Sequence, residues 1–284
     1  MATFTNRATL SYNGTVRTSN ITTGELVEVL AITKTALAES YDLYDSVTYI
    51  VSITNSGTAA FNGLTLTDDL GGYDFGGNTV YPLAFTEGSV RVFVNGALVP
   101  APTVTAGPPL SIPGINVPAG GNVIVVYEAE TTEFAPPAAV STITNTVTAA
   151  GDGLAAPITA AETVTVTSGP NLIISKSLSP TVVSDNSRLT YTFVVQNLGN
   201  EDAVATDNVT ITDTFNPILT DIVVTLNGAV LTEGTDYTYN EATGEFATAA
   251  GLITVPAAVF TQDPVSGEWV TDPGSAVLTV TGTI

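Results

Sequence analysis

The sequence predicts an all-β protein made of two Ig-like β-sandwich domains. Three observations carry this: period-two alternation recurs along the chain, helical periodicity is hard to find, and one pattern of strands and turns occurs twice. Alternation is plain in Val47-Thr48-Tyr49-Ile50-Val51-Ser52-Ile53, Leu64-Thr65-Leu66-Thr67, Val90-Arg91-Val92-Phe93-Val94 and Val164-Thr165-Val166. Successive strand side chains point to opposite faces, so each run presents one apolar face. Asn95-Gly96 and Asn227-Gly228 are strong hairpin signals, because a type I′ turn needs positive φ at both central residues.

Taken in order, the repeat begins with LAITKT (30–35), which matches LIISKS (172–177), and VTYIVSITNSG (47–57) matches LTYTFVVQNLG (189–199). LTLTDD (64–69) then matches VTITDT (209–214), VNGAL (94–98) matches LNGAV (226–230), and INVPA (115–119) matches ITVPA (253–257). NVIVVYEA (122–129) matches AVLTVTGT (276–283). The first copy continues through STITNTVTAAGDG (141–153) to AETVTVT (161–167), and the counterpart of that stretch stands at the other end of the chain. ATFTNRATLSYNG (2–14) matches 141–153, and GELVEVL (24–30) matches AETVTVT in its spacing of Glu, Val and Val.

The expected organisation is therefore 1–29 as donor strands, 30–167 as a first sandwich, and 171–284 as an incomplete second sandwich, with Thr167–Asn171 a short hinge. A sandwich without its closing strands exposes an edge and part of its core. Residues 25–29 run into 30–34 without a linker, which holds the N-terminal strands at one end of the first sandwich. Donation to the second sandwich of another copy is thus the expectation. Such a contact joins unlike surfaces and propagates into rings or filaments, and a filament of self-copies is expected. The alternative is that 1–29 form an extra hairpin on the first sandwich.

Composition narrows the function. The 284 residues hold 27 acids against 6 bases, for a net charge of −21, which disfavours nucleic acid as a partner because phosphate binding needs clustered cations. With neither Cys nor His, disulfides, thiolate metal sites and Ser-His-Asp or Cys-His catalysis are excluded. No calcium-loop, P-loop or dinucleotide fingerprint is present, so no cofactor and no metal is expected. Nor does any stretch read as a membrane span or secretory signal. Either a signal has been removed, or the protein is released by another route.

The series I-T-K-T, V-T-Y-x-V-x-I-T-N-S-G, L-T-L-T-D and I-T-N-T-V-T resembles the bacterial conserved-repeat surface domain known as domain of unknown function eleven. It is also similar to the isopeptide-forming domains of Gram-positive fimbriae, and the whole chain resembles appendage subunits of clostridial endospores. That resemblance implies an extracellular location on a cell or spore surface. It further implies a bond from a first-strand Lys to a late-strand Asn, assisted by a carboxylic acid. Carried over, the sets are Lys34, Asp68 and Asn145 within one chain, and Lys176, Asp213 and Asn6 between chains.

The residues bear independently on this carry-over. Lys34 and Lys176 are the only two lysines, and they occupy equivalent places. By parity Lys34 shares a face with Leu30 and Ile32, Asp68 with Leu64 and Leu66, and Asn145 with Ile143 and Val147. The same holds for Lys176 with Leu172 and Ile174, Asp213 with Val209 and Ile211, and Asn6 with Phe4 and Ala8. Inward polar groups must satisfy one another. Burial also favours a neutral, nucleophilic amine and a neutral carboxylic acid. The same cluster is compatible with a buried salt bridge capped by an amide.

The expected function is a structural subunit that self-assembles into a surface filament, not a turnover enzyme. The competing reading is an adhesin that binds glycan or protein through loops carrying Tyr41-Asp42-Leu43-Tyr44, Asp236-Tyr237-Thr238-Tyr239 and Glu268-Trp269. A carboxylate hydrolase has no constellation behind it.

Overall fold

The computed structural model describes residues 2–26 and 28–284. The chain is all-β, and the 3-10 turn at Ala205–Asp207 is the only helical element among the described residues. Two separate apolar cores form, one from residues between Leu30 and Val166 and one from residues between Leu189 and Val280.

In the first sandwich one sheet runs Ala97–Val99, Arg91–Val94, Asn122–Thr131, Ser46–Asn55 and Leu30–Ala36, with Leu83–Phe85 also paired to Asn122–Thr131. The facing sheet runs Leu110–Val117, Phe61–Asp68, Thr142–Ala150, Ile158–Val166 and Ser40–Tyr41. Alternation drives both. In Ser46–Asn55 the side chains of Val47, Tyr49, Val51 and Ile53 are buried, so the β-branched and aromatic residues that favour strands also supply the core.

The second sandwich repeats the first sheet as Leu172–Ser179, Arg188–Asn197, Gly274–Thr283, Thr220–Leu226 and Ala229–Val230. Its facing sheet has only Thr212–Thr214, Glu245–Thr248 and Tyr237–Asn240. In the first sandwich Thr142–Ala150 lies along Phe61–Asp68. Among the described residues no strand lies at the corresponding edge of Thr212–Thr214.

Two registers differ from the sequence match. Tyr127 stands opposite Tyr49, and Val280, not Thr281, stands opposite the equivalent Tyr191. A Val/Thr run reads alike at either parity in sequence, and its pairing with the tyrosine strand fixes which residues face in: Ala276, Leu278 and Val280 are buried. The second difference lies in the N-terminal segment, where Glu25 pairs with Thr3 and Thr22 with Asn6. In the first sandwich Glu162 is the residue opposite Asn145. Thr22 therefore takes the place that spacing assigns to Glu25.

Residues 2–26 form one two-stranded ribbon. Ala2–Asn6 pairs with Thr22–Leu26 and Thr9–Tyr12 with Thr15–Thr18, closed by Asn13 and Gly14 at φ 46° and 76°. Ser19 stitches its middle, donating its N–H to Ala8 O (2.9 Å) and accepting Ala8 N–H on Oγ (2.9 Å). Every residue from Thr3 to Thr23 is exposed. Along its first strand Phe4, Asn6, Ala8, Leu10 and Tyr12 alternate with Thr3, Thr5, Arg7, Thr9 and Ser11, and Gly24, Thr22, Arg17 and Thr15 stand opposite Phe4, Asn6, Leu10 and Tyr12. The Phe4 ring lies flat on Gly24, where a Cβ would come within 2.3 Å of it.

Candidate functional site

Lys34, Asp68 and Asn145 come together in the first core, each on a different strand. Lys34 follows Leu30 and Ile32 on the inward face of its strand, Asp68 ends the Leu64-Leu66 face, and Asn145 sits between Ile143 and Val147. All three are buried.

Lys34 Nζ lies 2.6 Å from Asp68 Oδ2, and the Tyr127 hydroxyl donates to the same oxygen at 2.5 Å. Asp68 Oδ1 accepts the backbone N–H of Leu70 (3.1 Å). The Asn145 amide donates to the Tyr127 oxygen at 3.4 Å, a long contact. Asn145 Oδ1 and the Tyr49 hydroxyl are buried without a hydrogen-bond partner. Tyr49 and Tyr127 stack with centroids 5.6 Å apart, and the lysine Nζ is 4.7 Å from the Tyr49 centroid.

Electrostatically this is a low-dielectric pocket. Burial pushes the Lys34 amine below its ordinary value, opposed by the charge and hydrogen bond of Asp68 and, more weakly, by Asp69 and Glu162. Burial lifts Tyr127 well above the ordinary phenol, and Asp68 reinforces that direction. The phenol therefore stays a hydrogen-bond donor. The two tyrosines were not among the sequence candidates. The signal available was their inward parity beside Val47 and Val125, since a buried Tyr hydroxyl needs a partner.

The second set is only partly assembled. Lys176 and Asp213 meet in an ion pair, with the lysine Nζ 4.5 Å from the Tyr191 centroid. The Lys176 side chain is 41% exposed, whereas that of Lys34 is 0% exposed. Ile174, on the same inward face, is 58% exposed. Val280 leaves Asp213 without the phenol that serves Asp68. Asn6 is not brought to this pair within the chain; it lies in the exposed ribbon. Among the described residues no acidic cluster could hold a metal ion, and no helix is long and apolar enough to cross a membrane.

Of the aromatic stretches, Tyr41 is buried with its hydroxyl donating to Pro136 O (2.7 Å), Tyr237 is buried in the second core, and Tyr239 donates to Leu219 O (2.9 Å). Packing accounts for these three. Tyr44 is exposed.

The Thr167–Asn171 segment, expected as a short hinge, is bound on both sides. Asn200 accepts Gly169 N–H (3.0 Å) and donates to Thr167 O and to Pro137 O (3.0 Å each). A hairpin of the second sandwich, Val259–Gln262 with Trp269–Asp272, reaches back to the first. Trp269 N–H donates to Glu133 O (3.0 Å) and Gln262 Nε2 to the Tyr73 hydroxyl (2.8 Å).

No family model matches the chain, and no curated protein matches its sequence. Among solved structures it is similar to BcpA, the major pilin subunit of Bacillus cereus, at 14% identity over 96% of this chain and 73% of that one, with a TM-score of 0.36. It is also similar to the pilus backbone RrgB of Streptococcus pneumoniae, at 14% identity over 86% of this chain and 55% of that one, TM-score 0.34. A family 123 glycoside hydrolase of Clostridium perfringens matches at 11% identity over 49% of this chain, which spans only 27% of the hydrolase, TM-score 0.32.

Proposed function

We propose that the protein is a structural subunit that polymerises head-to-tail into a surface filament, its ribbon 2–26 completing the second sandwich of a neighbouring copy. The observation that carries this reading is the unequal state of two equivalent pairs. Lys34–Asp68 is sealed beneath Thr142–Ala150 and Ile158–Val166, while Lys176–Asp213 lies open beside an unpaired strand edge. The ribbon has the matching form. It is two-stranded, presents Phe4, Leu10 and Tyr12 from its first strand, and carries Asn6 where Thr142–Ala150 carries Asn145.

By the pairing in the first sandwich, where Val147 stands opposite Asp68, Ala8 of the donor would stand opposite Asp213 and Leu10 opposite Ile211. Main-chain hydrogen bonds supply affinity, and the alternate side chains set register. The sealed sites then form isopeptide bonds. The proton of the Lys34 ammonium passes to Asp68, and the neutral amine attacks Asn145 Cγ. Asp68 gives that proton to the amide nitrogen, which leaves as ammonia, and then takes the surplus proton from Nζ, so that an Nζ–Cγ amide and a protonated Asp68 remain. Lys176 and Asn6 react likewise across the subunit boundary once docking orients them. Each site reacts once, so this is not turnover catalysis.

The test is to boil assembled protein in detergent. The expected result is ladders of covalent oligomers and loss of one ammonia per bond by peptide mass, with Asn6→Ala or Lys176→Ala reverting the ladder to monomer. Filaments that dissolve to monomer with no ammonia lost would refute the covalent step. A chain lacking 2–26 that still assembles would refute donation.

A further inference from the structure

The junction between the two sandwiches and the start of the first sandwich are built alike. Leu198 N–H donates to Asn171 O at 2.8 Å, and Ser56 N–H donates to Val29 O at 2.8 Å. Asn171 and Val29 are the equivalent residues before Leu172 and Leu30. In each case the next residue is a glycine pressed against the incoming chain. A Cβ on Gly199 would meet Gly169 O at 2.2 Å, and one on Gly57 would meet Val29 Cγ2 at 2.9 Å. The chain therefore enters both sandwiches through the same seat.

The two seats differ in what braces them. Beside Gly199 stands Asn200, whose amide ties the connecting segment to Pro137 of the first sandwich. The equivalent residue beside Gly57 is Thr58, too short for that role and exposed. The second sandwich also carries the Val259–Asp272 hairpin, which grips Glu133 and Tyr73 and seats Gly267 (φ 80°) against Phe75 and Val80. The first sandwich connects the corresponding strands through a short turn, Pro118–Gly121, with no hairpin.

We infer that the end-on surface around Ser56, Gly57 and Thr58 is the face that meets the completed second sandwich of another copy. It forms an unsplinted duplicate of the internal junction, so that the polymer is a chain of stiff two-sandwich rods with compliant joints between copies. The part concerning copies rests on the strand-donation reading. The splint itself rests on contacts within one chain. Inter-domain motion is the default unless an interface restrains it, and among the described residues the two hydrogen-bonded braces belong to Asn200 and the Val259–Asp272 hairpin, neither of which has an equivalent beside Gly57.

The absence of cysteine allows clean labelling. Leu98→Cys and Val230→Cys place spin labels on exposed, equivalent hairpins of the two sandwiches. Dipolar distance measurement on the doubly labelled chain, diluted into a large excess of unlabelled chain so that only distances within one chain are read, should give one narrow distribution. Replacing 256–274 by Pro-Ala-Gly-Gly together with Asn200→Thr should widen it about twofold. Gly267→Val, which keeps the hairpin but lifts it off Phe75, guards against misfolding and should widen it too. Equal widths in all three proteins would overturn the splint. In assembled wild-type chains, electron microscopy should find bending concentrated between subunits, and bending spread evenly along the rod would overturn the unsplinted joint. Failure to assemble would count against donation while the single-chain widths still decide the splint.

Discussion

Tyr127 and Val280 occupy the same place in the two sandwiches, each directly across the sheet from a tyrosine, Tyr49 in one and Tyr191 in the other. Asp68 therefore has a phenol as well as an ammonium on Oδ2, and Asp213 has on its Oδ2 the ammonium alone. Tyr127→Phe should leave buried Asp68 short of a donor. A cost of about 1–3 kcal/mol is expected for a buried group left unsatisfied. Urea unfolding of the first sandwich in an Asn145→Ala background checks it, since the bond would otherwise mask the loss. Val280→Ala lacks any such network and should lose only packing.

Lys34 and Lys176 should differ in chemical access before assembly. An amine-acylating reagent applied to the Asn145→Ala chain lacking 2–26, which has no ribbon to donate, is expected to modify Lys176 at least tenfold faster than Lys34, because one side chain is open and the other sealed. Peptide mapping reads both, and equal labelling would contradict the open acceptor.

The direction of the Lys34 shift fixes a pH dependence. Its folded pKa lies below the unfolded 10.5, so between those values the unfolded chain binds more protons and stability rises with pH. Tyr49 and Tyr127 are shifted upward and oppose this only once unfolded phenols ionise, near pH 10. In the bond-free Asn145→Ala chain the denaturant midpoint of the first sandwich should climb toward pH 10 and fall beyond it. Lys34→Met should abolish the climb.

Much of this was legible in the residues. Parity alone put Lys34, Asp68 and Asn145 on inward faces, because alternation in Leu30–Ala36, Phe61–Asp68 and Thr142–Ala150 is strict. Parity marked Tyr127 as inward but could not name its partner, because its role comes from a strand two positions away in the sheet from that of Lys34. It also misaligned 276–283 by one residue, since Val and Thr are near-isosteric and either can face a core. The bracing hairpin was invisible for another reason: Val259–Asp272 has no counterpart in the first repeat, and a comparison of the chain with itself discards what is present only once.

The Phe4–Gly24 contact makes its own prediction. The ring covers a residue with no side chain, which pairs a bulky residue with a bare one across the ribbon. Gly24→Val should displace the ring and slow polymerisation, while leaving the melting of the unassembled chain unchanged because its ribbon residues are exposed there. Light scattering and calorimetry on the same preparation separate the two effects.

The strongest test of donation is to remove the need for it. In the first sandwich Thr131 ends one strand and the Thr132–Val140 segment leads to Thr142–Ala150. By register Ile284 is the counterpart of Thr131, and Ala2 that of Ser141. A rearranged chain beginning at Leu30, in which a copy of 132–140 follows Ile284 and leads into 2–26, gives the second sandwich its closing strands in cis. The covered edge leaves no acceptor, and the tethered ribbon leaves no free donor. The expected protein is a monomer that does not seed or extend filaments, with Lys176 no longer acylated and joined to Asn6 within one chain at the loss of one ammonia. The tether raises the effective concentration of the ribbon to about the millimolar range, so closure should outrun capture by another copy. If the rearranged chain still polymerised, or kept Lys176 open to reagent, the ribbon would not be the missing pair of strands.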